Sequence, residues 1–122
     1  MAKKKVFISF DYADKHLKST LIGQAKLPDS PLSINDFSLK EAYPSDEWVS
    51  EAQRWIKRCD YFVVLLGNNT HQAPGVLKEV KIAKGLNKKR FQIRPQGKCY
   101  SEVPGAGEVI VWKWKNIKEK LK

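Results

Sequence analysis

Short apolar runs alternate along this chain with longer segments in which apolar residues recur every three or four positions. The first run, "KVFISF" from Lys5 to Phe10, predicts a strand, and "DKHLKSTLIGQAK" after it carries Leu17, Leu21 and Ile22 at helical spacing. "LSINDFS", Leu32 to Ser38, alternates Leu32 and Ile34 with polar neighbours and predicts a second strand. "SDEWVSEAQRWIKRC" is the clearest helix. Ser45 suits its N-cap, acids fill its first turn, Trp48, Ala52, Trp55 and Ile56 share one face, and Lys57 and Arg58 end it where the macrodipole favours cations. "DYFVVLLG", Asp60 to Gly67, is apolar without a break from Tyr61 to Leu66, as a central strand buried on both faces should be. After the loop "NNTHQA", Pro74 opens a helix in "APGVLKEVKIAKG". A fourth strand near "RFQIRP", a loop "QGKCYSEVPGAG", a fifth strand "EVIVWKW" and a short helix "KNIKEKLK" complete the order.

Five strands with helices between them imply a three-layer α/β fold. Right-handed crossovers put helices on both faces of a parallel sheet, here of flavodoxin-like order 2-1-3-4-5. The 122 residues, with 42% hydrophobic content, predict one domain over residues 1–122. Ligands of such sheets bind beyond the carboxyl ends of the strands, where the order reverses between the first and third. Two loops lie there: "FDYAD", Phe10 to Asp14, and "GNNTH", Gly67 to His71.

The helix that starts just beyond the second loop holds an oddly placed acid. Glu79 has Gly75, Val76, Ile82 and Ala83 three and four positions away, so it lacks the usual surface ion pair with a lysine. On a wheel of about 100° per residue, Val76, Val80, Ala83, Leu86 and Ile82 form one apolar arc that includes Glu79, while Lys78, Lys81 and Lys84 take the other side. A carboxylate on a core face costs several kcal/mol unless it is hydrogen-bonded, paired or protonated. Either it meets a backbone group or a lysine from another element, or it has a chemical use.

Charge and cysteine content narrow the classes. With 23 Lys and Arg against 13 Asp and Glu, the formal charge of +10 favours an anionic partner: nucleic acid, an acidic lipid face or a phosphorylated small molecule. Much of the excess lies in "MAKKK", "LNKKR" and "KWKNIKEKLK", where solvated charge on a chain start, a loop and a terminal helix is the plain reading. The apolar run in "MAKKKVFISF" is too short for a signal peptide or a membrane span, which predicts a cytoplasmic protein without a membrane partner. Cys59 and Cys99 form neither a disulfide framework nor a zinc pattern, and His16 and His71 have no metal-ligand spacing and read as surface residues. "PGAGE" leads into a strand and predicts a glycine turn, not a dinucleotide fingerprint. "VWKWK" interleaves Trp112 and Trp114 with lysines, as a single-strand binder does, but its period of two places both rings on one face of an edge strand. A response-regulator receiver is excluded, because the third strand ends "VVLLGNN" with no acid to accept phosphate.

"KVFISFDYAD", the central "DYFVVLLGNNT" and the helix "VLKEVKIAK" together resemble the TIR-like family, in particular the small single-domain TIR-like proteins of Thoeris antiphage defence. The resemblance implies a flavodoxin-like sheet and cleavage of NAD by a glutamate on the helix after the third strand, the position of Glu79. It implies NAD+ as substrate, no separate cofactor and no metal, assembly into homo-oligomers, and an effector protein reached through a cyclic ADP-ribose type of signal. Gly75 stands where many TIR domains carry a tryptophan, and Asp36 to Trp48, "DFSLKEAYPSDEW", matches by location the loop that covers the site in that family.

Around the loops, Phe10 could stack on a base or nicotinamide ring, Asp11, Tyr12 and Asp36 could reach ribose hydroxyls, and Asn69 and Thr70 could bind the diphosphate. Each has an alternative as a turn, capping or strand-end residue. Two other readings stand beside an NAD-cleaving enzyme: a TIR-like module that signals or assembles without catalysis, and a basic nucleic-acid-binding domain, against which solvated charge on a chain start, a loop and a terminal helix is the plainer reading.

Overall fold

A computed structural model describes residues 4–28, 30–34 and 45–121, with the backbone alone described at 12, 34 and 45–49. The elements run β1 (Lys4–Ser9), a 3-10 turn (Tyr12–Asp14), α1 (Lys15–Ala25), β2 (Leu32–Ile34), α2 (Ser45–Arg58), β3 (Tyr61–Leu65), a second 3-10 turn (Thr70–Gln72), α3 (Pro74–Gly85), β4 (Lys89–Arg94), β5 (Glu108–Val111) and α4 (Trp114–Lys120). All strand pairings are parallel and the order is β2-β1-β3-β4-β5. This is the flavodoxin-like order expected from the sequence.

β3 sits in the middle, and its uninterrupted apolar run feeds both faces, since successive side chains of a strand point to opposite sides. Phe62, Val64 and Leu66 join Phe7 under α2 and α3, where Ala52, Ile56, Val76, Val80 and Ala83 close one core. The rings of Phe7 and Phe62 stack there with centroids 5.6 Å apart. On the other face Tyr61, Val63 and Leu65 join Val6, Ile8, Phe91 and Ile93 beneath Leu21 of α1 and Ile117 of α4.

Two boundaries differ from the sequence expectation or fall outside the description. β2 is seen as Leu32–Ile34, and its expected continuation to Ser38 lies outside the described residues, as does most of the stretch from Asp36 to Trp48. β5 ends at Val111, so "VWKWK" is not one edge strand. The Lys113 N–H turns back onto the Val111 carbonyl at 2.8 Å, the Asn116 amide donates to the same oxygen at 3.0 Å, and Trp114 opens α4. Both tryptophans pack on the α1 side, and Trp112, 9% exposed, donates its indole N–H to Gln24 Oε1 at 2.8 Å.

The α2/α3 face carries two polar strand residues in an otherwise apolar layer. Register aligns Ser9 with Val64 and Val64 with Gln92. Gln92, 1% exposed, ties down the loop between β4 and β5: its amide donates to the carbonyls of Val103 and Gly107, and its Oε1 accepts the Val103 N–H at 2.7 Å. Gly107 has φ +92, and a Cβ there would collide with the Arg90 carbonyl, so the loop returns to the sheet only with glycine at that point. Replacing Gln92 by leucine strands buried backbone groups of this loop and should lower stability by about 2–3 kcal/mol. Urea unfolding measures it, and an unchanged midpoint would show that the loop is held by other means.

Candidate active site

The order reverses at β1 and β3, the switch point beyond whose carboxyl ends sheets of this kind bind ligands, and α3 follows the turn that leaves β3. β1 finishes at Ser9, and the chain leaves through Phe10 and Asp11 into the 3-10 turn that starts α1. β3 finishes beside it, and the turn from Gly67 to Thr70 leads into α3. Pro74 lies in the first turn of that helix, where its missing N–H removes no intrahelical bond. Val76, Val80 and Ala83 bury the apolar arc against the sheet, and Glu79 goes in with them at 0% exposure.

Glu79 meets Ser9. The Ser9 hydroxyl, itself fully buried, donates to Glu79 Oε1 at 2.7 Å and so joins residues 70 positions apart. A hydrogen bond to a charged group contributes about 1.5–3 kcal/mol, while taking a carboxylate out of water costs several. Sequence reasoning missed Ser9. Its signal was a small polar residue inside the apolar run of β1, on the same side as Phe7 and opposite Val6 and Ile8.

The other expected residues are spread around this pair. Phe10 follows the parity of Val6 and Ile8: it is 3% exposed in the core on the α1/α4 side of the sheet, with the Lys18 ammonium 5.6 Å from its ring centroid. The structure therefore does not bring Phe10 and Glu79 to the same face. Asp11 is half-buried at the end of β1, and its Oδ1 accepts the Ala13 N–H at 3.4 Å. Tyr12 lies in the 3-10 turn with only its backbone described. Thr70 is fully buried, its Oγ1 accepting the Gly67 N–H at 2.7 Å and reaching the Leu65 carbonyl at 3.4 Å, which closes the turn after β3. Asn69 is exposed beside it, and Asp36 lies outside the described residues. His16 is exposed, whereas His71, in the 3-10 turn before α3, is half-buried with its Nδ1 shielded from solvent and is not a plain surface residue. Among the described residues no group of His, Cys, Asp and Glu could hold a metal ion.

One contact bridges the two loops at the switch point. Gly67 faces the Asp14 carboxylate so closely that a Cβ on residue 67 would collide with it. Burial raises the Asp14 carboxyl above its ordinary 3.8, the Asp11 charge raises it further, and His16 opposes both. A groove of about 780 Å³ lies elsewhere, between α2 and α3, lined by residues such as Gln53, Lys57, Lys81 and Ile82.

A parallel sheet of this order, with a buried acid on the helix after the central strand, defines a flavodoxin-like α/β domain with its candidate chemistry at the switch point. The chain belongs to the family of the TIR-like domain of Thoeris protein ThsB, whose model matches residues 7–99 and so spans Ser9, both loops and Glu79. Among solved structures it is similar to the Clostridium botulinum CMP N-glycosidase BcmB, with a TM-score of 0.58 and 21% identity over 97% of this chain and 98% of that one, which shows a shared fold. No curated protein matches the chain.

Two measurements probe the geometry. Ser9→Ala removes the hydroxyl from a buried carboxylate and should lower stability by about 1–3 kcal/mol in urea unfolding; an unchanged value would mean that the bond adds nothing. For Asp14 the folded state holds its proton more tightly than the unfolded state does. Its contribution is therefore fully present below about pH 3.8 and is lost as pH rises through the raised folded value. Asp14→Asn should flatten that part of a pH series of unfolding midpoints, and a series that superimposes on the wild type would contradict the raised value.

Proposed function

We propose that this protein cleaves the N-glycosyl bond of a nucleotide, with NAD+ as substrate, Glu79 as the essential carboxylate and a cyclic ADP-ribose type of signal as product in Thoeris-type antiphage defence. The observation that carries the reading is the buried Glu79, held by the Ser9 hydroxyl at the carboxyl ends of β1 and β3. Family membership supports it, and the fold shared with a CMP N-glycosidase supports the wider class of N-glycosyl cleavage.

The chemistry needs little more than a carboxylate and a dry cleft. In NAD+ the nicotinamide nitrogen is already cationic, so the bond to ribose breaks with its electron pair going to the ring, and neutral nicotinamide leaves without a general acid. Positive charge then develops on the ribose as an oxocarbenium ion, which a fixed carboxylate stabilises strongly where water is scarce. Water captures the anomeric carbon to give ADP-ribose and a proton. Attack by an adenine nitrogen of the same molecule instead closes the ring. On this reading the Ser9 hydroxyl orients the carboxylate, Asp11 and Asn69 lie at the mouth where hydroxyls and phosphates would enter, and the cyclic product carries the message to an effector protein.

Nicotinamide release from NAD+, followed by chromatography, tests the reading against a Glu79→Gln variant. Wild-type release and a loss of roughly a hundredfold or more in the variant are expected, as for other residues that stabilise developing charge. Equal release from both would remove Glu79 from the mechanism. A parallel incubation with CMP, read as cytosine release, separates NAD+ from a nucleoside monophosphate. Silence on both substrates, also with lysate of phage-infected cells added, would favour a TIR-like module that assembles without catalysis, to which Gly75 in place of tryptophan is suited.

A further inference from the structure

The opposite edge of the sheet, at the amino ends of the strands, collects cations from separate parts of the sequence. Lys4 and Lys5 begin β1, Lys57 and Arg58 end α2, and Lys88 and Lys89 lead into β4. Register aligns Val6 with Tyr61 and Tyr61 with Lys89, and Lys4 precedes Val6 by two residues, so Lys4 and Lys89 stand on either side of the start of β3, about 12 Å apart from backbone to backbone. Between them is a recess of about 330 Å³ lined by Lys4, Asp60, Tyr61, Asn87, Lys88 and Lys89 among others.

Two of these cations, Lys88 and Lys89, hold partners that fix their positions and leave their charge uncancelled. The Lys88 ammonium donates to the carbonyls of Lys57 at 2.8 Å and Cys59 at 2.7 Å, capping the end of α2. The Lys89 ammonium lies 5.8 Å from the Tyr61 ring centroid. Carbonyls and a ring face carry no net charge. Asp60 is the acid beside them among the described residues of this edge, and its Oδ2 accepts the Lys5 backbone N–H at 2.8 Å. A helix C-terminus supplies only about half a negative charge. Like charges this far apart, close to the Debye length of about 10 Å at 0.1 M salt, still repel one another, and an anion brought to this edge relieves that repulsion.

The described aromatic rings near this edge narrow the anion: Trp55 is half-buried, with the Arg58 guanidinium 5.7 Å from its ring centroid. Trp112 is buried, Tyr61 is 8% exposed, and the large exposed apolar side chains among the described residues are Leu27, Leu77 and Leu86. Among the described residues such an edge engages phosphates and offers unstacked bases little open ring surface, which favours a duplex over a single strand. We propose that the amino edge of the sheet, at Lys4, Lys57, Arg58, Lys88 and Lys89, binds the phosphate backbone of a nucleic-acid duplex without reading its sequence. The edge lies at the other end of the sheet from Ser9 and Glu79, so duplex binding is independent of the chemistry proposed there.

Fluorescence anisotropy with a labelled 30-base-pair DNA of random sequence tests this in 50 and 200 mM NaCl. With about four phosphate contacts, wild-type affinity should fall on the order of a hundredfold between the two salts. Lys4→Glu with Lys89→Glu should weaken binding at least tenfold at 50 mM and reduce the salt slope by about two. The matched control is Lys98→Glu with Lys113→Glu, exposed cations beyond the carboxyl ends of β4 and β5. It carries the same charge change and should lose less than threefold. Equal losses in the two double variants would reduce the effect to overall charge and overturn the assignment. So would a wild type that does not bind the duplex, or that binds vesicles rich in anionic lipid in its place.

Discussion

The hydrogen bond between Ser9 and Glu79 constrains this fold more tightly than any apolar contact around it. Apolar packing is non-directional, and α3 could slide or rotate over the sheet at modest cost if it carried only Val76, Val80 and Ala83. A buried carboxylate removes that freedom. Rotating the helix by one residue, about 100°, would carry Glu79 away from the only end of β1 that presents a hydroxyl on this face. The stacked rings of Phe7 and Phe62 form the floor one step below, and the turn closed by Thr70 sets where the helix begins. Helix register, strand parity and turn geometry therefore converge on one oxygen atom.

Much of this was written in the hydrophobic pattern. The unbroken run Tyr61 to Leu66 located the central strand, the alternation of strands and helices gave the parallel order, and the wheel put Glu79 on the inward arc of its helix. What the pattern could not show depends on partners distant in sequence. Ser9 gains its meaning from a residue 70 positions away, and inside "VFISF" it looks like any strand serine. Gln92 likewise reads as one polar residue in an apolar strand until the loop from Val103 to Gly107 folds back over it. "VWKWK" misled for the complementary reason. Its period of two is that of a strand, but the Val111 carbonyl is claimed by the Lys113 N–H and the Asn116 side chain, which turn the chain into α4.

Ser9 and Gln92 also share a logic. Both lie level with Val64 on the α2/α3 face, where a parallel sheet is normally apolar on both sides. Each is paired with something that would otherwise be costly to bury: a carboxylate in one case and the backbone of an irregular loop in the other. Burying a polar group without a partner costs about 1–3 kcal/mol, so each substitution on one side of such a pair demands one on the other. These positions are the least free to vary independently in a core that elsewhere tolerates exchange of one apolar residue for another.

The two ends of the sheet differ because of how the chain is wound. In a parallel sheet every helix runs back against the strands, so helix C-termini and strand starts gather at one edge and strand ends and helix starts at the other. Cations at helix C-termini and at strand starts thus add to one another at the amino edge, as Lys57, Arg58, Lys88 and Lys89 do. At the carboxyl edge the same winding brings Asp11 and Asp14 to the start of α1, whose free N–H groups favour negative charge, while Glu79 lies in the middle of α3. Topology alone would give each helix end its one compensating charge. The surplus of cations at the amino edge exceeds what helix dipoles require, while the acid at the carboxyl edge is buried where a dipole has least need of it. Both departures from dipole compensation are local, and they fall at opposite ends of one rigid sheet.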